Sequence, residues 1–267
     1  MNLNLSLAVS KNYKSSPQIV RVVTEEWATK NLYCPVCDSN SITKALPNTP
    51  TIDFTCPKCC QTYQLKSRRD WSENKIVDAA YFTMIAAIRN DNTPNLFLLQ
   101  YSATWSVQNM LLIPHFFITE SIIEKRRPLG PLARRAGWIG CNILLKEIPK
   151  DGKLGIVLDG IEIEPTEVRK QFQRVKPFAD LCVRLRGWTL DVFKIIRRLN
   201  KTAFTLSDIY KYADELASLH PSNQNVHAKI RQQLQVLRDL GFLVFNNRGH
   251  YSLNVELLVT NFLVSIH

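Results

Sequence analysis

The 267 residues are 45% hydrophobic and 21% charged, which excludes a disordered or fibrous chain and leaves room for two folded domains. A net charge of +11 suggests a polyanionic partner, although an unspecialised basic surface would give the same total. No stretch reaches the ~18 apolar residues of a membrane span, and residues 1–14 lack the basic-then-apolar order of a signal peptide.

In chain order, Gln18–Asn31 sets Ile19, Val22, Val23 and Trp27 at helix spacing, with Glu25 and Glu26 on other faces. Tyr33-Cys34-Pro35-Val36-Cys37-Asp38 is a knuckle turn, followed by a polar loop through Pro47, Asn48 and Pro50. Thr51–Thr55 reads as a strand carrying Asp53, and Thr62–Ser67 as its antiparallel partner, joined by a second knuckle at Cys56-Pro57-Lys58-Cys59. After the basic loop Ser67-Arg68-Arg69-Asp70, a helix is expected from about Glu73 to Asn90, apolar at Ile76, Val77, Ala80, Met84 and Ala87. Asn95–Tyr101 and Gln108–Ile113 are continuous apolar runs, as in a sheet covered on both faces. Lys125–Cys141 holds two prolines, three glycines and five Lys or Arg, and is expected to be a long surface loop. Ile156–Leu158 and Ile161–Ile163 suggest a hairpin around Asp159-Gly160, and Glu167–Val175 a polar helix.

A second domain is expected from Leu185–Trp188 onward. Trp188, Val192, Ile195, Ile196 and Leu199 mark one helix. Thr205-Leu206-Ser207-Asp208 opens a second with a capping-box-like start, apolar at Ile209, Ala213 and Leu216. Val226, Ile230, Leu234 and Leu237 mark a third, closed by Gly241. Phe242–Phe245 and Tyr251–Leu253 form a terminal hairpin around Asn246–Gly249, so the order is that of a winged helix-turn-helix. The expected division is 1–182, 183–254 and a C-terminal extension at 255–267, which is expected to pack on the winged helix.

Four of the seven cysteines form Cys34-x2-Cys37 and Cys56-x2-Cys59, separated by a stretch that fits a four-cysteine zinc ribbon. The compartment is expected to be a reducing cytoplasm, where such pairs mean metal and not disulfides. A closed set of four thiolates leaves no position for water, so the expected Zn2+ is structural, clamping the hairpin that carries Asp53 and Lys66. Cys60, Cys141 and Cys182 have no matching spacing.

An acid on one strand and Gln64-Leu65-Lys66 on the next is the layout of a Mg2+-dependent nuclease of the PD-(D/E)xK kind. Gln64 and Lys66, two apart on a strand, share the face that meets Asp53. Asp53, the Gln64 amide oxygen and the Leu65 backbone carbonyl are suitable hard ligands for catalytic Mg2+, and Lys66 can orient the attacking water. By itself the pattern also fits the solvated edge of a zinc ribbon. The five histidines fit no catalytic pairing, and Asp78 and Tyr81 read as structural.

These residues resemble the DpnI-like methyl-directed (type IIM) restriction endonucleases. The likeness runs through Thr24-Glu25-Glu26-Trp27, Tyr33–Cys37, the Asp53 strand, Gln64–Ser67, Ala133–Ile143, Arg186–Thr189 and Lys229–Asp239. The resemblance implies an α/β nuclease domain with an embedded zinc ribbon, followed by a winged helix. It implies a bacterial enzyme cutting double-stranded DNA at GATC carrying N6-methyladenine, with catalytic positions at Asp53, Gln64 and Lys66. Gln64 departs from the family, which has Glu there. The alternative is a catalytically silent reader of methylated DNA, which would have no physical reason to retain both Asp53 and Lys66.

On the third winged-helix helix Lys229, Arg231, Gln232 and Gln235 are DNA-reading candidates, since Gln matches adenine and Arg guanine in the major groove. A solubilising face would look similar. Arg248 at the wing tip suits a phosphate, as do Arg134 and Arg135 in the long loop. Trp138 offers an apolar surface to a methylated base, or else is a core anchor. A monomer is expected, with no membrane contact and no small-molecule cofactor.

Overall fold

A computed structural model describes residues 1–46, 49, 51–70 and 74–254. Pro47, Asn48, Pro50, Glu73 and the expected extension at 255–267 lie outside the described residues.

Helix α1 (Ser16–Asn31) starts with Pro17, where a missing amide proton costs nothing, and buries Val23, Thr24, Trp27 and Ala28. Strands β1 (Thr43–Lys44), β2 (Phe54–Thr55) and β3 (Thr62–Arg68) follow, then β4 (Ile76–Ala80), α2 (Tyr81–Arg89), β5 (Asn95–Tyr101) and β6 (Val107–Ile113). β7 (Ile123–Lys125), β8 (Gly140–Ile143), β9 (Leu154–Leu158), β10 (Ile161–Glu162) and α3 (Pro165–Val175) complete this part of the chain. One sheet runs β1-β2-β3-β5-β6-β9-β10, antiparallel throughout except at β3–β5, and β4-β8-β7 form a second sheet. β5, the middle strand, buries six of its seven residues, as its unbroken apolar run requires.

The helix expected over Glu73–Asn90 is corrected. Its described first half is strand β4, in which Ile76 and Asp78 are buried and Val77 is exposed, and only Tyr81–Arg89 is helical. Pairing with β8 decides this: Ile76 meets Ile143 and Val77 meets Asn142, and the register then slips before Ala80 meets Gly140. The strand expected over Thr51–Thr55 is shorter, because Thr51 has φ 60° and only Phe54–Thr55 run extended in register. The long surface loop is the end of the β7–β8 hairpin. Arg126 N–H donates to Gly140 O at 3.0 Å and Leu129 N–H to Trp138 O at 2.9 Å, so it stands out as an arm.

The remainder is α4 (Val183–Arg198), β11 (Ala203–Thr205), α5 (Leu206–Tyr210), α6 (Ala213–Leu219), α7 (Val226–Asp239), β12 (Leu243–Asn247) and β13 (His250–Leu253). The capping box at Thr205 and Asp208 is present in both directions, and Gly241 at φ 86° follows α7. The single helix expected from Thr205 is two short ones, interrupted around Tyr212. β11 joins the terminal hairpin in the order β11-β13-β12, making a three-stranded wing.

The two parts share a continuous core. Phe178 stacks on Phe242 at 4.6 Å and lies 5.5 Å from both Phe117 and Phe193, so rings from before and after residue 182 interlock. Around them Arg197 pairs with fully buried Asp151 at 2.8 Å, Lys194 with Glu147 at 3.1 Å, and Arg186 with Asp91. No helix among the described residues is long and apolar enough to cross a membrane.

Candidate functional site

The two knuckles close on each other. The sulfurs of Cys34, Cys37, Cys56 and Cys59 all lie within 4.8 Å of one another, with Cys34–Cys59 and Cys37–Cys56 at 3.6 Å. Four thiolates around zinc at about 2.3 Å stand roughly 3.8 Å apart, so the spacing fits a closed tetrahedral site. Amides of Ser39, Lys58 and Cys59 point at Cys37 or Cys56 sulfur, as needed where thiols become anions. Burial pushes the Cys56 thiol up, but the amides of Cys59 and Lys58 and the neighbouring thiols outweigh it and bring it to about 6. Burial raises Cys34 and Cys59, the opposition that a bound cation relieves. Arg169 of α3 fastens the first knuckle, donating to Cys34 O at 3.1 Å and Ser39 O at 2.9 Å. Cys60 is exposed.

The second knuckle is the turn between β2 and β3, so it sets how Asp53 meets Gln64, Leu65 and Lys66. Asp53 sits one residue ahead of β2. Its amide donates to Tyr63 O at 2.9 Å, although Tyr63 is already the register partner of Phe54. The chain therefore steps out of register at Asp53, and its Oδ2 accepts the Leu65 amide at 2.7 Å. Burial raises the Asp53 carboxyl above its ordinary range, against the pull of that amide and of Lys66. A cation at this position would offset that cost.

Lys66 Nζ is bonded at 2.5 Å to Asp78 Oδ1, on β4. Asp78 Oδ2 is buried and has no hydrogen-bond partner among the described residues. The sequence marks Asp78 as structural, yet it is the residue that holds Lys66; the helical spacing that the sequence suggests for its strand hides the alternation that aims it. Glu25 of α1 is the other acid the motif missed: burial raises its carboxyl, Arg21 opposes this, and the Asp53 charge adds to it. Its sequence signal is its place in Thr24-Glu25-Glu26-Trp27.

The DNA-reading candidates fall on two features. Arg231, Gln232 and Gln235 are exposed on α7, and Lys229 is half-buried, bonded to Gln232 Oε1 at 2.8 Å with its ammonium 5.9 Å from the Trp188 ring. Arg231 is braced by Tyr210 Oη at 2.6 Å. Arg248 is exposed at the tip of the wing, next to Gly249 at φ 78°. On the β7–β8 arm, Arg134 and Arg135 are exposed and Trp138 is half-buried. The Trp138 ring lies on Gly140, where a Cβ would come within 2.7 Å of it, and under the Arg135 guanidinium at 4.5 Å. Trp138 thus packs on its own arm and does not anchor the main core. One histidine does pair with an acid: His220 Nε2 is 2.8 Å from Asp191 Oδ2, stacked on Trp188, while Ser121 holds the other Asp191 oxygen at 2.8 Å. With the acid in the middle, Ser121 and His220 do not meet as nucleophile and base, and the group serves as a joint between α4 and its surroundings.

Two family models match the chain. One, described as DpnI, Dam-replacing family, covers residues 1–180, and one described as Dam-replacing HTH domain covers residues 184–253.

Proposed function

The chain belongs to the DpnI, Dam-replacing family, and from that premise we propose that it is a methylation-dependent restriction endonuclease of the PD-(D/E)xK kind. Its substrate is double-stranded DNA at GATC sites carrying N6-methyladenine. The observation that carries the reading is a half-buried carboxylate, Asp53, bonded to the Leu65 amide between Gln64 and an acid-held lysine, Lys66.

The donor set fits Mg2+: the Asp53 carboxylate, the Gln64 amide oxygen and the Leu65 carbonyl are hard oxygens, and burial leaves the Asp53 charge in need of a cation. The chemistry supplied by bound Mg2+ is neutralisation of charge on the phosphate and a more acidic water. Lys66, steadied by Asp78, orients the attacking water and faces the charge that develops on the phosphate. Gln64, in place of the family's Glu, removes one anion and weakens the metal's hold without removing a ligand. Zn2+ in the four-cysteine cluster clamps the β2–β3 hairpin in working shape. Lys229, Arg231, Gln232 and Gln235 read base edges, Arg248, Arg134 and Arg135 hold phosphates, and Trp138 contacts the methylated base. The protein acts in a bacterial cytoplasm as a monomer, with its functional division at 182/183.

The test is a digest of one plasmid, adenine-methylated or unmethylated at GATC, with Mg2+ and with Asp53→Ala as control. Cutting of the methylated form alone, lost in the variant, is the expected result. Gln64 favours one rival, the silent reader, and methylation-dependent binding without cutting in Mg2+ or Mn2+ would establish that rival instead.

A further inference from the structure

On β3, Tyr63 stacks on Phe97 at 4.8 Å and Ser67 bonds Thr24 of α1 at 3.0 Å, so the odd-numbered residues face the core and α1. Gln64, Lys66 and Arg68 therefore project from the opposite face. Past Lys66 this face opens into a pocket lined by Lys66, Arg68 and Lys75 over an apolar floor that includes Ile76, Leu98 and Leu145. Two of the three cations are engaged. Lys66 is held by Asp78, and Lys75 meets Glu124 at 2.9 Å in a pair half open to water, which holds it only weakly. Glu124 is also held by Asn142. Arg68 is half-buried and its side chain has no hydrogen-bond or ion-pair partner among the described residues.

We propose that this pocket is a second phosphate site, in which Arg68, assisted by Lys75, grips the DNA backbone one nucleotide step from the phosphate at Lys66. The inference rests on the nuclease reading above. A guanidinium over an apolar floor needs an anion, and its planar fork matches two phosphate oxygens. Residues two apart on a strand stand roughly 6.6 Å apart, the scale of one sugar-phosphate step. The strand that aims Lys66 at one phosphate thus aims Arg68 at its neighbour.

The experiment is fluorescence anisotropy of the full, zinc-loaded chain on a short methylated GATC duplex, without chelator or added Mg2+, across about 50–200 mM salt. Losing one phosphate contact in Arg68→Ala should lower the slope of log affinity against log salt by about 0.9. At 0.1 M salt that is a loss of about eightfold in affinity, shrinking as salt rises. Arg68→Lys should keep the slope, since it keeps the charge, while binding less tightly than wild type. Arg68→Gln is read in place of Arg68→Ala if thermal unfolding shows the latter misfolded. An unchanged slope in the neutral variants, with wild type binding normally, overturns the pocket and leaves the nuclease reading intact. Wild-type protein that binds no DNA sinks both.

Discussion

Replacing Lys66 by Met should destabilise the protein far more than replacing Asp78 by Asn, because the two partners of this ion pair are unequally buried. The Asp78 side chain is 1% exposed and the Lys66 side chain 24%. Lys66→Met strands a carboxylate out of water, with Oδ2 already lacking a partner, at a cost of about 3–5 kcal/mol. Asp78→Asn leaves an ammonium that still reaches solvent, and it removes the charge from the unpartnered oxygen. Those effects oppose each other, so the net cost is about 1 kcal/mol. With a urea m-value of about 2–3 kcal/mol/M, the two variants' midpoints should differ by about 1 M, and the double variant should recover most of the Lys66→Met loss. Cutting of methylated plasmid should nevertheless fall about 100-fold in Asp78→Asn at unchanged DNA affinity, because an unlatched Lys66 is misplaced by an ångström or so. A Lys66→Met midpoint equal to or above that of Asp78→Asn would refute the reasoning about burial. Full cutting by Asp78→Asn would refute the positioning role.

Stripping zinc with a strong chelator, then removing the chelator and adding back Mg2+ alone, should leave cutting lost and the β2–β3 hairpin open to protease, with one zinc per chain released by elemental analysis; cutting restored by Mg2+ without zinc would count against the clamp. Gln64→Glu restores an anion to the site, so the Mg2+ concentration for half-maximal cutting should fall, and an unchanged requirement would remove Gln64 from the ligand set. Asp208 is drawn down to about 2 by the Thr205 amide and hydroxyl, from an ordinary 3.8. A depressed folded value means its contribution is present above about pH 4 and is lost as pH falls toward 2. The Tm deficit of Asp208→Asn should therefore be seen at neutral pH and vanish in acid by calorimetry, and a deficit that persists at pH 2 would contradict the capping account.

Much of the fold was legible because its signals are local. The C-x2-C pairs declare a four-cysteine cluster through spacing alone, and the four sulfurs do converge to a spacing that could hold a metal. The β5 run, the Thr205 capping box and Gly241 after α7 are each explained within a few residues of themselves. What failed was β4. Ile76, Val77 and Ala80 suit a helical spacing as well as a strand one over so short a span, and the arbiter is β8, more than sixty residues away. The same distance hid the candidate site's supports. The motif named Asp53, Gln64 and Lys66, but Asp78 could not be seen to hold Lys66 until its strand was known, and no pattern tied Glu25 to Asp53.

By itself the sequence determined the two cysteine pairs, the element types with strong local period and the basic character of the chain, since these depend on residue type and short spacing. Only the tertiary structure decided which charges are buried, where Asp53 steps out of register and that the Arg68 side chain has no partner among the described residues. Burial and partnering are properties of surfaces brought together from distant parts of the chain, so they exist only once the sheets have closed.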